Sequence, residues 1–132
     1  MSIVVVATLA LGGCGGSASP PAQVRAAWET LKHALVDGDA KRFCAMLNDT
    51  SRVQLVATIA QVSPPSSSSC ESAAQTLFQL SPDARQKLAG AKLLSVHVHG
   101  DTATTTDTTG PPANDWVRVD GDWQLADLDL GS

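Results

Sequence analysis

Basic residues are scarce in this chain. Nine Lys and Arg are scattered among thirteen Asp and Glu, leaving a net charge of -4. Nucleic-acid binding draws most of its affinity from Lys and Arg neutralising phosphates, so a sequence-independent nucleic-acid binder is excluded. No cluster of basic residues follows the N-terminal apolar segment either, so attraction to anionic lipid adds little. Long hydrophobic runs are missing: the stretch from Ile3 to Leu11 falls well short of the about 20 residues a helix needs to span a bilayer. There is no phosphate-cradling glycine loop, no serine nucleophile elbow and no HExxH pair. The acids between Asp115 and Asp129 lack the alternating spacing of an EF-hand loop. No metal and no cofactor is expected. Cysteine is limited to Cys14, Cys44 and Cys70.

What is present begins with that apolar run. Its length suits the core of a secretory signal peptide, about 7–15 residues. It leads into Leu11-Gly12-Gly13-Cys14, which resembles the bacterial lipobox: a branched apolar residue, two small residues and a cysteine. The small residues let the chain enter a signal-peptidase cleft, and the Cys14 thiol is the nucleophile there that can take a diacylglyceryl group. Residues 1–13 therefore read as a lipoprotein signal peptide, and Cys14 as the site of palmitate-type acylation. Each buried methylene contributes about 0.8 kcal/mol, so two acyl chains anchor stably where one binds only marginally. Residues 14–21, with Gly15-Gly16-Ser17-Ala18-Ser19-Pro20-Pro21, read as a flexible tether. The segment before the run holds no Lys or Arg, so either the true start lies upstream of Met1 or the signal is weak. The expected location is the outer face of the cell membrane.

In an exported chain whose Cys14 is acylated, Cys44 and Cys70 are left to pair with each other. Two sulfurs without a neighbouring His make a poor zinc site. Closing the loop of about 26 residues between them stabilises the fold by roughly 3–4 kcal/mol in the chain-entropy treatment.

Residues 22–132 form one domain by length. Val24, Trp28, Leu31 and Leu35 recur at helical spacing, with a start at Ser19-Pro20 and a stop at Asp37-Gly38-Asp39. Asp39 caps a second helix that turns Phe43, Met46 and Leu47 inward. A third, from Ser51 to Val62, places Leu55, Val56 and Ile59 on one side. Pro64 to Ser69 is a loop. A fourth helix opens at Ser69 or Cys70 and carries Ala74, Leu77 and Phe78. Pro82 starts a fifth that ends near Leu88 and Gly90. The period then changes. Leu94, Val96 and Val98 alternate with Ser95, His97 and His99, as in a half-buried strand. Gly100-Asp101 turns the chain into a Thr-rich strand from Thr102 to Thr108. Strands from Asp115 to Val119 and from Trp123 to Leu130 follow, joined by the Asp120-Gly121-Asp122 turn. Helices first and an antiparallel sheet second predict the α+β class.

The opening helix with Trp28, the Asp37-Gly38-Asp39 break and Phe43 resemble the start of nuclear-transport-factor-2-like (SnoaL-like) domains. The Val96-His97-Val98-His99-Gly100-Asp101-Thr102-Ala103 hairpin and the ending Trp116-Val117-Arg118-Val119-Asp120-Gly121-Asp122-Trp123-Gln124-Leu125 are similar to theirs. The resemblance covers roughly residues 22 to 130, without an early strand between the helices. It implies a cone-shaped, cystatin-like α+β roll: N-terminal helices packed on a curved sheet, with a pocket between. Members include isomerases, hydrolases, transport factors and exported domains of unknown role, so the fold does not select a function.

Three residues are candidates for that pocket: Trp28, His97 and Asp127. His97 and His99 share one strand face, but the apolar residues occupy the other, which assigns both to solvent. His33 lies off the apolar stripe of its helix. A buried Asp127 would suit proton abstraction, but Trp123 and Leu125 share its parity, which points to the sheet edge. Trp28, Trp116 and Trp123 are expected in the core. The chain has no Tyr, whereas isomerases of the resembled fold often use a Tyr hydroxyl in the oxyanion hole. The expected function is a lipid-anchored, non-enzymatic envelope domain that binds a small apolar ligand or an envelope protein, its oligomeric state open and a dimer included. The alternative is a small SnoaL-like isomerase or hydrolase using His97 or Asp127.

Overall fold

The computed structural model describes residues 19–62, 69–110 and 113–127. The segment expected as a signal peptide and Cys14 lie outside the described residues, as do most of the serine loop and the chain beyond Asp127.

Among the described residues, five helices precede four strands. Helix α1 spans Pro20–Asp37, α2 Ala40–Ala45, α3 Asp49–Val62, α4 Cys70–Leu80 and α5 Pro82–Ala89. Strands β1 Leu93–His99, β2 Thr102–Asp107, β3 Asn114–Val119 and β4 Asp122–Leu125 form an antiparallel sheet in sequence order. The architecture is α+β.

Helix α1 starts where Ser19 Oγ accepts from the Ala22 N–H and Pro20 takes the first turn. Two residues of the stretch expected as tether, Pro20 and Pro21, are thus helical. Val24, Trp28, Leu31 and Ala34 form its buried stripe. Gly38 ends it in the left-handed region, at φ 71°, and the Asp39 N–H then reaches back to the Ala34 carbonyl at 2.8 Å. Asp39 Oδ1 accepts from the Arg42 N–H at 3.1 Å and opens α2, which buries Ala40, Phe43 and Cys44. Helix α3 begins two residues before the expected Ser51, because the Asn48 side chain accepts from the Ser51 N–H at 2.8 Å. It buries Ser51, Leu55 and Ile59, one face at a spacing of four. In α4, Ser69 and Ser72 cap reciprocally, and Ala73, Ala74 and Phe78 pack inward. The Phe43 and Phe78 rings meet edge to face with centroids 5.6 Å apart. Cys44 and Cys70 are joined in a disulfide that ties α2 to the start of α4.

Helix α5 buries no residue of its own. Arg85 attaches it: Nε donates to the Leu35 carbonyl at 2.8 Å and Nη2 to the Val36 carbonyl at 2.9 Å. These carbonyls belong to the last turn of α1, where helix geometry leaves them without the usual partner four residues on and the helix dipole favours a cation.

The sheet turns one face to the helices. Val98, Ala103, Trp116 and Leu125 are paired in a row across all four strands. Trp116 is 1% exposed, and its indole N–H donates to buried Thr105 at 3.0 Å. Helix α1 contacts both edge strands, β1 and β4, and so crosses the whole sheet. At the far end, the Leu125 N–H donates to the Met46 carbonyl at 2.7 Å and the Leu125 carbonyl accepts from Asn48. Leu47 and Leu125 there form an isolated parallel bridge.

Two strand expectations are corrected. The register shifts between Leu93 and Ser95, so the inward row of β1 is Leu93, Val96 and Val98, while Leu94 is 65% exposed. A bulge inserts one residue and flips the parity of those before it. Strand β4 ends at Leu125, where a run on to Leu130 was expected: the Ala126 N–H still donates to the Asp115 carbonyl at 2.8 Å, the last rung toward β3 among the described residues, and residues 128–130 lie outside them.

Candidate functional site

Where α1, α3, α4 and α5 come together over the end of β2, they enclose a cavity of about 680 Å³. That lies within the roughly 300–1,000 Å³ range of small-molecule sites. Leu31, Leu35, Ile59, Leu77, Phe78 and Leu88 make its walls largely apolar. Val62 and Leu80 also line it, yet they are 64% and 59% exposed. They mark the side on which the cavity opens to water.

Among the described residues, one carboxylate lines this space. Asp107, the last residue of β2, is 6% exposed. Its Oδ2 accepts from Trp28 Nε1 at 3.1 Å and from Asn114 Nδ2 at 3.5 Å. Its Oδ1 accepts from the Thr109 N–H at 2.9 Å and from the Thr109 hydroxyl. A carboxylate offers about four lone-pair sites, and four neutral donors engage this one. No Lys or Arg pairs with it among the described residues. The group therefore joins α1 to the sheet and fixes the Trp28 ring. A general base needs a lone pair free to meet the substrate proton, and here every direction is engaged.

Three cations line the same cavity among the described residues: Lys32, Arg85 and Lys87. Lys32 Nζ donates to the Ala91 carbonyl at 2.8 Å and stands 5.5 Å from the centre of the Trp28 ring. Arg85 caps α1 and lies 5.4 Å from the centre of the Phe78 ring. Lys87 is exposed, and its ammonium has no partner among the described residues.

The three residues expected in the pocket do not come together. Trp28 lines the cavity and is 2% exposed. His97 is exposed on the outward face of β1, with His99 beside it, and Asp127 is exposed beyond the end of β4. Neither His97 nor Asp127 lines the cavity. His33 is exposed on α1, 3.9 Å from Glu29. All three tryptophans are buried, as expected of core residues. No group of His, Cys, Asp and Glu among the described residues could hold a metal ion. No helix among them is long and apolar enough to cross a membrane.

Asp107 went unread in the sequence, although a signal for it exists. The two-residue turn at Gly100-Asp101 pairs His99 with Thr102 and Val98 with Ala103. Strand parity then puts Ala103, Thr105 and Asp107 on the face of Val96 and Val98. All three are buried. The run of threonines hides this alternation, because Thr is at home on either face of a sheet.

Comparison with protein-family models, with curated proteins and with solved structures finds no match to this chain.

Proposed function

We propose that this protein is a lipid-anchored envelope protein, held to the outer face of the membrane through Cys14, whose domain binds a small apolar ligand and catalyses no reaction. The observation that carries the binding role is the cavity of about 680 Å³, with apolar walls and a carboxylate whose acceptor sites are already engaged. Apolar walls favour transfer of hydrocarbon out of water by roughly 25 cal/mol per Å² covered. The relation to the SnoaL-like group remains part of this proposal and rests on the motifs quoted above. An enzyme acting through His97 or Asp127 draws no support, since both side chains lie outside the cavity.

The binding role is tested with the full chain carrying Cys14→Ser, which removes the acylation site. It is titrated with the neutral, apolar fluorophore N-phenyl-1-naphthylamine. Saturable one-to-one uptake is expected. Ala84→Trp, which adds an indole at an exposed position lining the cavity, should reduce that uptake several-fold. Non-saturable partitioning, or uptake indifferent to Ala84→Trp, would overturn the reading. For the anchor, labelled palmitate should be incorporated into the wild-type chain in a bacterial host and not into Cys14→Ala.

A further inference from the structure

The chain as a whole is acidic, with a net charge of -4, yet the cavity is not. Among the described residues, Lys32, Arg85 and Lys87 line it against the single carboxylate of Asp107. That carboxylate is buried and engaged by Trp28, Thr109 and Asn114. It has no acceptor site left for a cationic head group. Among the cations, Lys32 and Arg85 are already bonded to backbone carbonyls. Lys87 alone has no partner among the described residues. It stands in the last turn of α5, lines the cavity and is exposed, as are Val62 and Leu80. The apolar walls and the free cation are therefore separated in space: hydrocarbon inside, positive charge at the rim.

From this separation we infer that the occupant is a single-chain amphiphile with an anionic carboxylate head, its tail between Leu31 and Phe78 and its head against Lys87. The inference rests on the binding role proposed above and adds the ligand's class. An ammonium head would meet the same rim charge repulsively, and an alcohol head would gain nothing from it. The attraction is of the solvent-exposed kind, so its contribution is modest and falls as salt screens it.

The experiment uses the full chain carrying Cys14→Ser, with N-phenyl-1-naphthylamine bound, at pH 8 and low salt. Three probes of equal chain length compete for it below their micelle concentrations: dodecanoate, 1-dodecanol and dodecyltrimethylammonium. Dodecanoate should displace the fluorophore about two- to fivefold more tightly than dodecanol, and dodecyltrimethylammonium most weakly. Lys87→Gln should bring dodecanoate down to the level of dodecanol, and 0.5 M salt should do the same in the unsubstituted domain. Equal or tighter binding of dodecanol, or a dodecanoate preference that survives Lys87→Gln, would overturn the inference while leaving the binding role intact. Failure of all three probes to displace a fluorophore that does bind would likewise overturn it. Failure of the fluorophore itself to bind would instead remove the binding role on which the inference stands.

Discussion

Replacing Asp107 by Ala should be among the costliest single changes in the domain outside its aromatic core. The carboxylate is 6% exposed and takes donors from Trp28, Thr109 and Asn114. These donors are not equally dependent on it. Thr109 is exposed and can turn to water, and the Asn114 contact is long at 3.5 Å. The indole N–H of Trp28 belongs to a side chain 2% exposed and has no other partner among the described residues. Leaving one buried donor unsatisfied costs about 1–3 kcal/mol. Losing the hydrogen bonds to a charged acceptor adds to this, while release from burying the charge offsets part of it. The expected loss is about 2–3 kcal/mol. Trp28→Phe removes the donor but leaves the carboxylate its other partners, and should cost about 1 kcal/mol. In the double variant the orphaned indole no longer exists, so the two costs should overlap by about 1–2 kcal/mol. Urea unfolding followed by far-UV circular dichroism, with the disulfide kept oxidised, measures all four corners of this cycle. A loss below about 0.5 kcal/mol for Asp107→Ala, or single costs that simply add, would show that the hydrogen bond does not couple α1 to the sheet.

Other parts of the fold make separate predictions. Cys44→Ala with Cys70→Ala opens a loop of 26 residues and should lower stability by about 3.5 kcal/mol in the chain-entropy treatment; a urea midpoint close to the parent's would count against it. Gly38→Ala forces a side chain to φ 71° and places its Cβ 3.2 Å from Arg85 Nη2. A cost of about 1–2 kcal/mol is expected, read as a lower melting temperature, and a neutral result would mean that the α1 terminus relaxes freely. Asp101→Asn weakens the 2.7 Å ion pair with Arg118, but the Asp101 side chain is 72% exposed, so the change should stay within about 1 kcal/mol. A larger loss would mean that this pair anchors the sheet.

The fold was legible in the sequence to the extent that local rules decide it. The Val24–Trp28–Leu31 stripe, the Asp39 cap and the Ser81-Pro82 start each reflect chemistry within one or two turns, and each element lies where that chemistry put it. The pairing of Cys44 with Cys70 followed from having no other partner once Cys14 was set aside. The candidate site was legible only in Trp28. His97 and Asp127 were singled out by residue type, which does not specify depth. Leu94 was read inward because alternation assumes an uninterrupted ladder, and the register shift between Leu93 and Ser95 breaks it.

By itself, the sequence determined the kinds and order of the elements, the turns between strands and the disulfide, because periodicity, capping and turn stereochemistry act over a few residues. It also carries Leu11-Gly12-Gly13-Cys14, whose resemblance to a lipobox is read without the fold. Only the tertiary structure decided that Asp107 faces α1 and binds Trp28 across 79 residues of chain, that Arg85 on α5 caps α1, four elements earlier in the chain, and that four helices leave a cavity between them. These contacts depend on how far apart packed side chains hold the backbones and on where a strand slips its register. Such distances are set jointly by residues remote in the chain, so no local pattern records them.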